Sequence, residues 1–92
     1  MSKRFVSVGV CIVDIVGTNI ESIPAAEGTE IIHKIHMCPA GTAAAPAVIA
    51  ARMGLDSTLV AAEGKDDFGR YLLQKLRSEG VNVDLMQERE DM

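Results

Sequence analysis

Runs that are apolar at almost every position give way along this chain to stretches where apolar residues recur every three or four places, and the alternation predicts its elements. Phe5 to Val13 is β-branched and nearly continuously apolar, the pattern of a strand buried on both faces of a parallel sheet. It ends at Asp14. Gly17 to Gly28 is interrupted by Pro24 and small residues, and Thr29 to Cys38 then sets Ile31, His33, Ile35 and Met37 against Glu30, Ile32, Lys34 and His36. That alternation predicts a half-exposed strand, or a hairpin arm, outside the main sheet. An insertion this long between a first strand and a first helix exceeds a simple connection, so it is expected to be a functional flap or an interaction surface.

From Cys38 to Gly54 a turn of small residues feeds into an alanine-rich helix. Pro46 suits the first helical turn, which places the helix from about Ala45 to Met53, with Gly54 as its stop. Ser57 to Ala62 is a second core strand. Gly64 to Asp67 then turns into a helix on which Phe68, Leu72 and Leu76 share a face, with Tyr71 and Leu73 beside it. Asp66 or Asp67 caps its start, Lys75 and Arg77 sit near its end, and Gly80 stops it. Val81 to Met86 offers a third strand, and the polar Gln87 to Met92 is expected to fray. The order strand, flap, helix, strand, helix, strand predicts an α/β fold with a parallel sheet. Such a sheet needs helices on both faces, and 92 residues supply too few, so the chain reads as the first part of something larger.

Composition narrows the picture in a few places. With 48% hydrophobic residues but only two Phe, one Tyr and no Trp, the core must come from closely packed small side chains. A chain this short buries only about 60 to 65% of its unfolded surface. The formal charge of −4 argues against nucleic acid, which draws on clustered Lys and Arg. Cys11 and Cys38 are too few to staple a secreted fold, and a reducing cytoplasm is the simplest setting. Lys3-Arg4 before the apolar stretch Phe5 to Val16 has the outline of a signal peptide, but Asp14 interrupts it and no cleavage site comes after it. No stretch approaches the roughly 20 apolar residues of a membrane span.

Candidate chemistry is sparse. Asp14, at the carboxyl end of a core strand, would face the crevice where open α/β sheets bind ligands. Small residues at the Cys38 to Ala45 turn would let backbone N–H groups approach a ligand, although close packing of an alanine helix on the sheet explains the same residues. His33, His36 and Cys38 do not make a metal set, because strand residues three apart point to opposite faces. Gly64-Lys65 is followed by Asp66, and Leu59 stands where a phosphate loop needs its first Gly, so there is no P-loop. No Gly-x-Gly spacing and no nucleophile elbow occur. No catalytic, cofactor-binding or metal-binding residue is assigned within these 92 positions.

One resemblance covers nearly the whole chain. Asp14, then Pro24 and Gly28, then Ala40-Gly41-Thr42-Ala43-Ala44-Ala45-Pro46-Ala47, then Gly54, Gly64, Asp66-Asp67-Phe68-Gly69 and Gly80-Val81 resemble the amino-terminal third of ribokinase-like (PfkB-family) carbohydrate kinases. The resemblance implies the amino-terminal part of a ribokinase-like, Rossmann-like parallel sheet flanked by helices, with a small β-lid at about residues 17–38. It implies transfer of the γ-phosphate of ATP, with Mg, to a hydroxyl of a sugar, nucleoside or polyol. Asp14 matches the acid that accepts hydrogen bonds from substrate hydroxyls. Ala40 and Gly41 match the double-glycine turn that meets the sugar, and Ala45 stands where the family pattern carries a substrate-binding Asn. The lid matches one that closes over substrate and in many members pairs with a second subunit, so a homodimer through the lid is expected. The family's catalytic base, anion hole and ATP pocket lie around a Gly-Ala-Gly-Asp turn that these residues lack, so the segment alone is expected to be inactive. The alternative is a non-catalytic truncated relative whose lid serves as a dimerisation module.

Overall fold

The structure, a computed structural model, describes residues 3–18 and 21–91. Its elements in chain order are β1 (Arg4–Val8), β2 (Ile12–Thr18), β3 (Lys34–Ala40), α1 (Ala44–Arg52), β4 (Asp56–Val60), β5 (Ala62–Gly64), α2 (Asp67–Ser78) and β6 (Gln87–Arg89). β1 and β4 pair in parallel, with Arg4 opposite Asp56 and Val8 opposite Val60. β5 and β6 pair in parallel beyond them. β2 and β3 form a separate antiparallel ribbon, running from Ile12 opposite Ala40 to Thr18 opposite Lys34.

The apolar run from Phe5 to Val13 is therefore not one strand. After Val8 the chain leaves the sheet: Gly9 still donates to the Val60 carbonyl at 3.2 Å, and Cys11 then tucks into the core. From Ile12 onward the chain belongs to the ribbon. The flap expected at about residues 17–38 begins earlier and ends later than that, because Ile12 to Val16 pairs with His36 to Ala40 instead of continuing the sheet. Residues 19 and 20 of the flap lie outside the described residues. Nor is β1 buried on both faces. Ser7 is buried, whereas Val6 is 58% and Val8 74% exposed, so the helices cover one face only and the apolar run was written for two.

Both helices pack into one cluster around the fully buried Leu59, with Ala44 and Ala47 from α1, Leu72 and Leu76 from α2, and Val81 and Val83 from the segment after it. α1 can lie this close because its inward face is alanine. The closeness is used by two buried hydroxyls: Ser7 Oγ donates to the Ala43 carbonyl and Ser57 Oγ to the Ala47 carbonyl, each at 2.7 Å. α2 follows its amphipathic pattern, and of the two candidate caps it is Asp66 whose carboxylate accepts from the Gly69 N–H at 2.9 Å. Both helices end in the same motif. Gly54 and Leu55 donate to the Ala51 and Ala50 carbonyls, and Gly80 and Val81 donate to those of Arg77 and Leu76, the paired 5→2 and 6→1 bonds that close a helix on a glycine.

The third strand expected over Val81 to Met86 is reduced to a single parallel bridge, Asn82 with Thr58. The strand forms later, at Gln87–Arg89, within the tail expected to fray; Met92 is outside the described residues. A short ladder to β5 outweighs the polar composition there, and the Lys65–Glu90 ion pair at 3.2 Å closes its end.

Candidate functional site

The turn between β3 and α1 is built on a main-chain oxygen. As the chain leaves β1, the Val10 carbonyl accepts from the N–H groups of both Ala43 (3.0 Å) and Ala44 (3.3 Å), and Ala45 N–H goes to the Gly41 carbonyl at 3.2 Å. Pro46 has no N–H. Ala43, the N-cap, has no capping side chain, and the Val10 oxygen takes over that duty. The N–H groups of this helix start, expected to be available to a ligand, are thus already bonded within the chain, which leaves no cradle there for a phosphate. Thr42 Oγ1 completes the joint by accepting from Val10 N–H at 3.4 Å.

Gly41 is held at φ 106°, and a Cβ there would stand 2.5 Å from the Val10 oxygen and 3.2 Å from Val10 Cγ1. Its missing side chain is used by the protein's own first crossing. Packing inside the chain accounts for this glycine, and the turn that passes under Val10 leaves Ala40 and its own backbone at the foot of the ribbon.

Asp14 is not at the end of a buried strand. It is the third residue of β2, exposed, directly across from Cys38, because the chain has already left the sheet at Gly9. Directly opposed residues of an antiparallel pair share a face, so Ile12, Asp14, Val16 and Thr18 lie with Ala40, Cys38, His36 and Lys34. Asp14 and Ala40 are diagonal neighbours on that face, and Gly41 is the next residue after Ala40. Ala45 is exposed on the outer side of α1 and lines a cleft of about 250 Å³ with Cys38, Pro39, Val48, Ile49, Arg52, Lys75 and Glu79. The foot of β3 thus links three of the candidates: Cys38 faces Asp14 across the ribbon and shares the cleft with Ala45, and Ala40 is two residues on.

The far wall of that cleft is locked by charge. Arg52 donates from Nε and Nη2 to both oxygens of Glu79, at 2.6 and 2.9 Å, and this pairing holds the Glu79 carboxyl below its usual range. Lys75 Nζ stands 4.0 Å from the same carboxylate. The thiols divide differently. Burial, helped by the charge of Glu63, pushes Cys11 up to about 11, so it packs as a small hydrophobe and is no nucleophile. Among the described residues no cluster of His, Cys, Asp and Glu could hold a metal ion.

The group that organises the turn carries no signal in the hydrophobic pattern or the motifs. The Val10 carbonyl is backbone, and nothing in the side chains marks it. Glu63 is 3% exposed with its Oε2 unpartnered among the described residues. Burial, and after it the charge of Glu88 opposite it, raises its carboxyl above the ordinary value. An acid directly before Gly64 at the end of a core strand was a legible oddity.

A parallel βα core with an antiparallel ribbon inserted between its first strand and first helix is the ribokinase-like arrangement. The fructokinase of Halothermothrix orenii superposes with a TM-score of 0.75 at 28% identity, over 97% of this chain and 30% of that one. A sugar kinase of Pyrococcus horikoshii solved in complex with ATP does so with a TM-score of 0.75 at 26% identity, over 92% and 26%. In sequence, a fructokinase of Salmonella typhimurium is 37% identical over 67 residues, which is 73% of this chain and 20% of the relative. A ribokinase of Bacillus subtilis is 34% identical over 80 residues, 87% of this chain and 27% of the relative. The profile of the pfkB family carbohydrate kinases matches residues 2–92, and the chain belongs to that family. It spans about a fifth to a quarter of the length of these curated relatives.

Proposed function

We propose that these residues are the substrate-side segment of an ATP-dependent kinase acting on a sugar or another small polyol, a nucleoside among them. The observation that carries the reading is that Cys38, near the foot of β3, lies opposite Asp14 across the ribbon and lines the same cleft as Ala45, with Ala40 two residues on. In this reading Asp14 accepts hydrogen bonds from substrate hydroxyls, each oxygen taking more than one donor. Ala40 and Gly41 present backbone to the sugar, and the ribbon is the lid that keeps water from the phosphoryl group. Ala45 offers no hydrogen bond, so the contact that an Asn would make is absent.

ATP and Mg belong mainly to a part of the protein outside this segment. One feature supports that placement: the N–H groups at the start of α1 are spent inside the chain. The open face of β1 supports a larger domain, since parallel sheets are ordinarily covered on both sides. The segment by itself would bind but not catalyse, because phosphoryl transfer needs both substrates positioned together. Among the described residues no helix is long and apolar enough to cross a membrane. We place the protein in the cytoplasm on its two unpaired cysteines. The deciding experiment is ATP consumption by the protein as its gene encodes it, across a panel containing D-fructose, D-ribose and nucleosides. Turnover of at least one supports the kinase reading, and consumption with none of them ends it.

The ribbon's other face favours an additional role in pairing with a second copy. Val13, Ile15 and Gly17 lie there with Pro39, Met37 and Ile35, and Ile15 and Ile35 are 54% and 61% exposed. A homodimer through the lid would cover them. In sedimentation Ile35→Glu is expected to shift a dimer to monomer, and a wild type that is monomeric at every concentration would refute the pairing.

A further inference from the structure

The proposed lid meets the body at its foot, and one side chain reaches across to it. Val13, Pro39 and Ala40 are half-buried at the base of the ribbon, whereas Ile15 and Ile35 are exposed above it. At the boundary the Tyr71 hydroxyl on α2 donates to the Met37 carbonyl of β3 at 2.9 Å. Among the described residues this is the side-chain hydrogen bond that ties the ribbon to α2. Met37 adjoins Cys38, the cross-strand partner of Asp14, and itself faces Ile15. The bond is therefore one residue from the position opposite Asp14, on a β3 strand that among the described residues pairs with β2 alone. Burial raises the Tyr71 phenol above its ordinary value, with the neighbouring Cys38 adding to the effect, so the donor keeps its proton throughout the physiological range.

We infer that Tyr71 is a positioning residue, a latch that sets the angle of the ribbon against α2 and through it the place of Asp14 over the substrate turn. The inference rests on the substrate role proposed for Asp14. A phenol suits the task. Its ring packs beside the core stripe of α2 while its polar tip reaches a main-chain acceptor, and a backbone carbonyl fixes the strand itself and not one mobile side chain. Rotation of the ribbon about its foot would break this bond first and would carry Asp14 with it.

The test compares Tyr71→Phe, which keeps the ring and loses only the hydroxyl, with Leu72→Ala, which opens a cavity in the core from the same helix. Both are made in the intact protein as its gene encodes it. For Tyr71→Phe, amide exchange within Ile12–Thr18 and Lys34–Ala40 should quicken by about threefold to tenfold, the worth of one neutral hydrogen bond, while β4 and α2 stay unchanged. The KM for the sugar turned over, D-fructose or D-ribose, should rise over a similar range with the KM for ATP unmoved. Leu72→Ala should quicken exchange throughout. Equal acceleration in ribbon and core for Tyr71→Phe, or no acceleration, would overturn the latch, as would local acceleration with an unchanged sugar KM. An Asp14→Ala variant with unaltered sugar KM would instead bring down the substrate role of Asp14, leaving the exchange result to stand by itself.

Discussion

Replacing Gly41 by Ala tests how the turn between β3 and α1 is built, and the structure supplies both a magnitude and an internal control. At φ 106° a residue with a Cβ costs about 1 to 2 kcal/mol in backbone strain alone. The new methyl would also stand 2.5 Å from the Val10 oxygen, too close to tolerate, so that carbonyl must move. It accepts from Ala43 and Ala44 N–H, and loosening those bonds costs about 0.5 to 1.5 kcal/mol each. The whole penalty is about 2 to 5 kcal/mol, a large part of the roughly 5 to 15 kcal/mol by which a folded domain is typically stable. Gly54 is the control. Its φ is 89°, yet a Cβ there meets nothing within 4 Å, so Gly54→Ala carries the strain term of about 1 to 2 kcal/mol and little else. Urea unfolding of the two variants and the wild type, compared at a common slope, should place Gly41→Ala well below Gly54→Ala. Equal midpoints would refute the close passage under Val10 as the reason for glycine at 41.

The remaining predictions concern charge and specificity. The Glu63 carboxyl is raised in the folded state, by burial first and Glu88 second, so the folded protein binds a proton that the unfolded chain releases. Stability from this group is therefore present at low pH and lost as pH climbs from the ordinary Glu range through the raised folded value. Glu63→Gln should stabilise the protein at pH 7 by about 1 kcal/mol and flatten that slope in pH-dependent thermal unfolding; a destabilised variant with the slope intact would contradict the assignment. Ala45→Asn should change substrate preference among sugars by roughly fivefold to tenfold, the worth of one new hydrogen bond, read as kcat/KM ratios; an unaltered profile would remove position 45 from recognition. Ser57→Ala should cost about 1 kcal/mol in the same unfolding assay, because the Ala47 carbonyl loses its buried hydroxyl donor, and an unchanged midpoint would mean that bond contributes nothing.

The helices and their stops were legible because local rules decide them: Asp66 caps α2, and Gly54 and Gly80 end the two helices through bonds that only nearby residues make. The parallel pairing of β1 with β4 was legible from element order. The ribbon's extent was not. Phe5 to Val16 reads as one apolar run because a sheet strand and a ribbon strand use the same β-branched residues, and only the pairing of Ile12 to Val16 with His36 to Ala40 separates them. Asp14 was consequently assigned to the end of the sheet strand and not to the ribbon. The β6 strand was missed for the opposite reason, since a polar segment can join an edge ladder by backbone bonds that leave no hydrophobic pattern. At the site, Asp14 and the small-residue turn were visible in side chains, whereas the Val10 oxygen that organises the turn had no side-chain trace.

The central claim is that Asp14 meets the substrate and not the nucleotide. Steady-state kinetics of Asp14→Ala in the protein as its gene encodes it, with sugar and ATP varied separately, tests it most directly. Losing charged hydrogen bonds to hydroxyls should raise the sugar KM by about tenfold to a hundredfold and leave the KM for ATP where it was. Equal increases in both, or a sugar KM that does not move, would contradict the account.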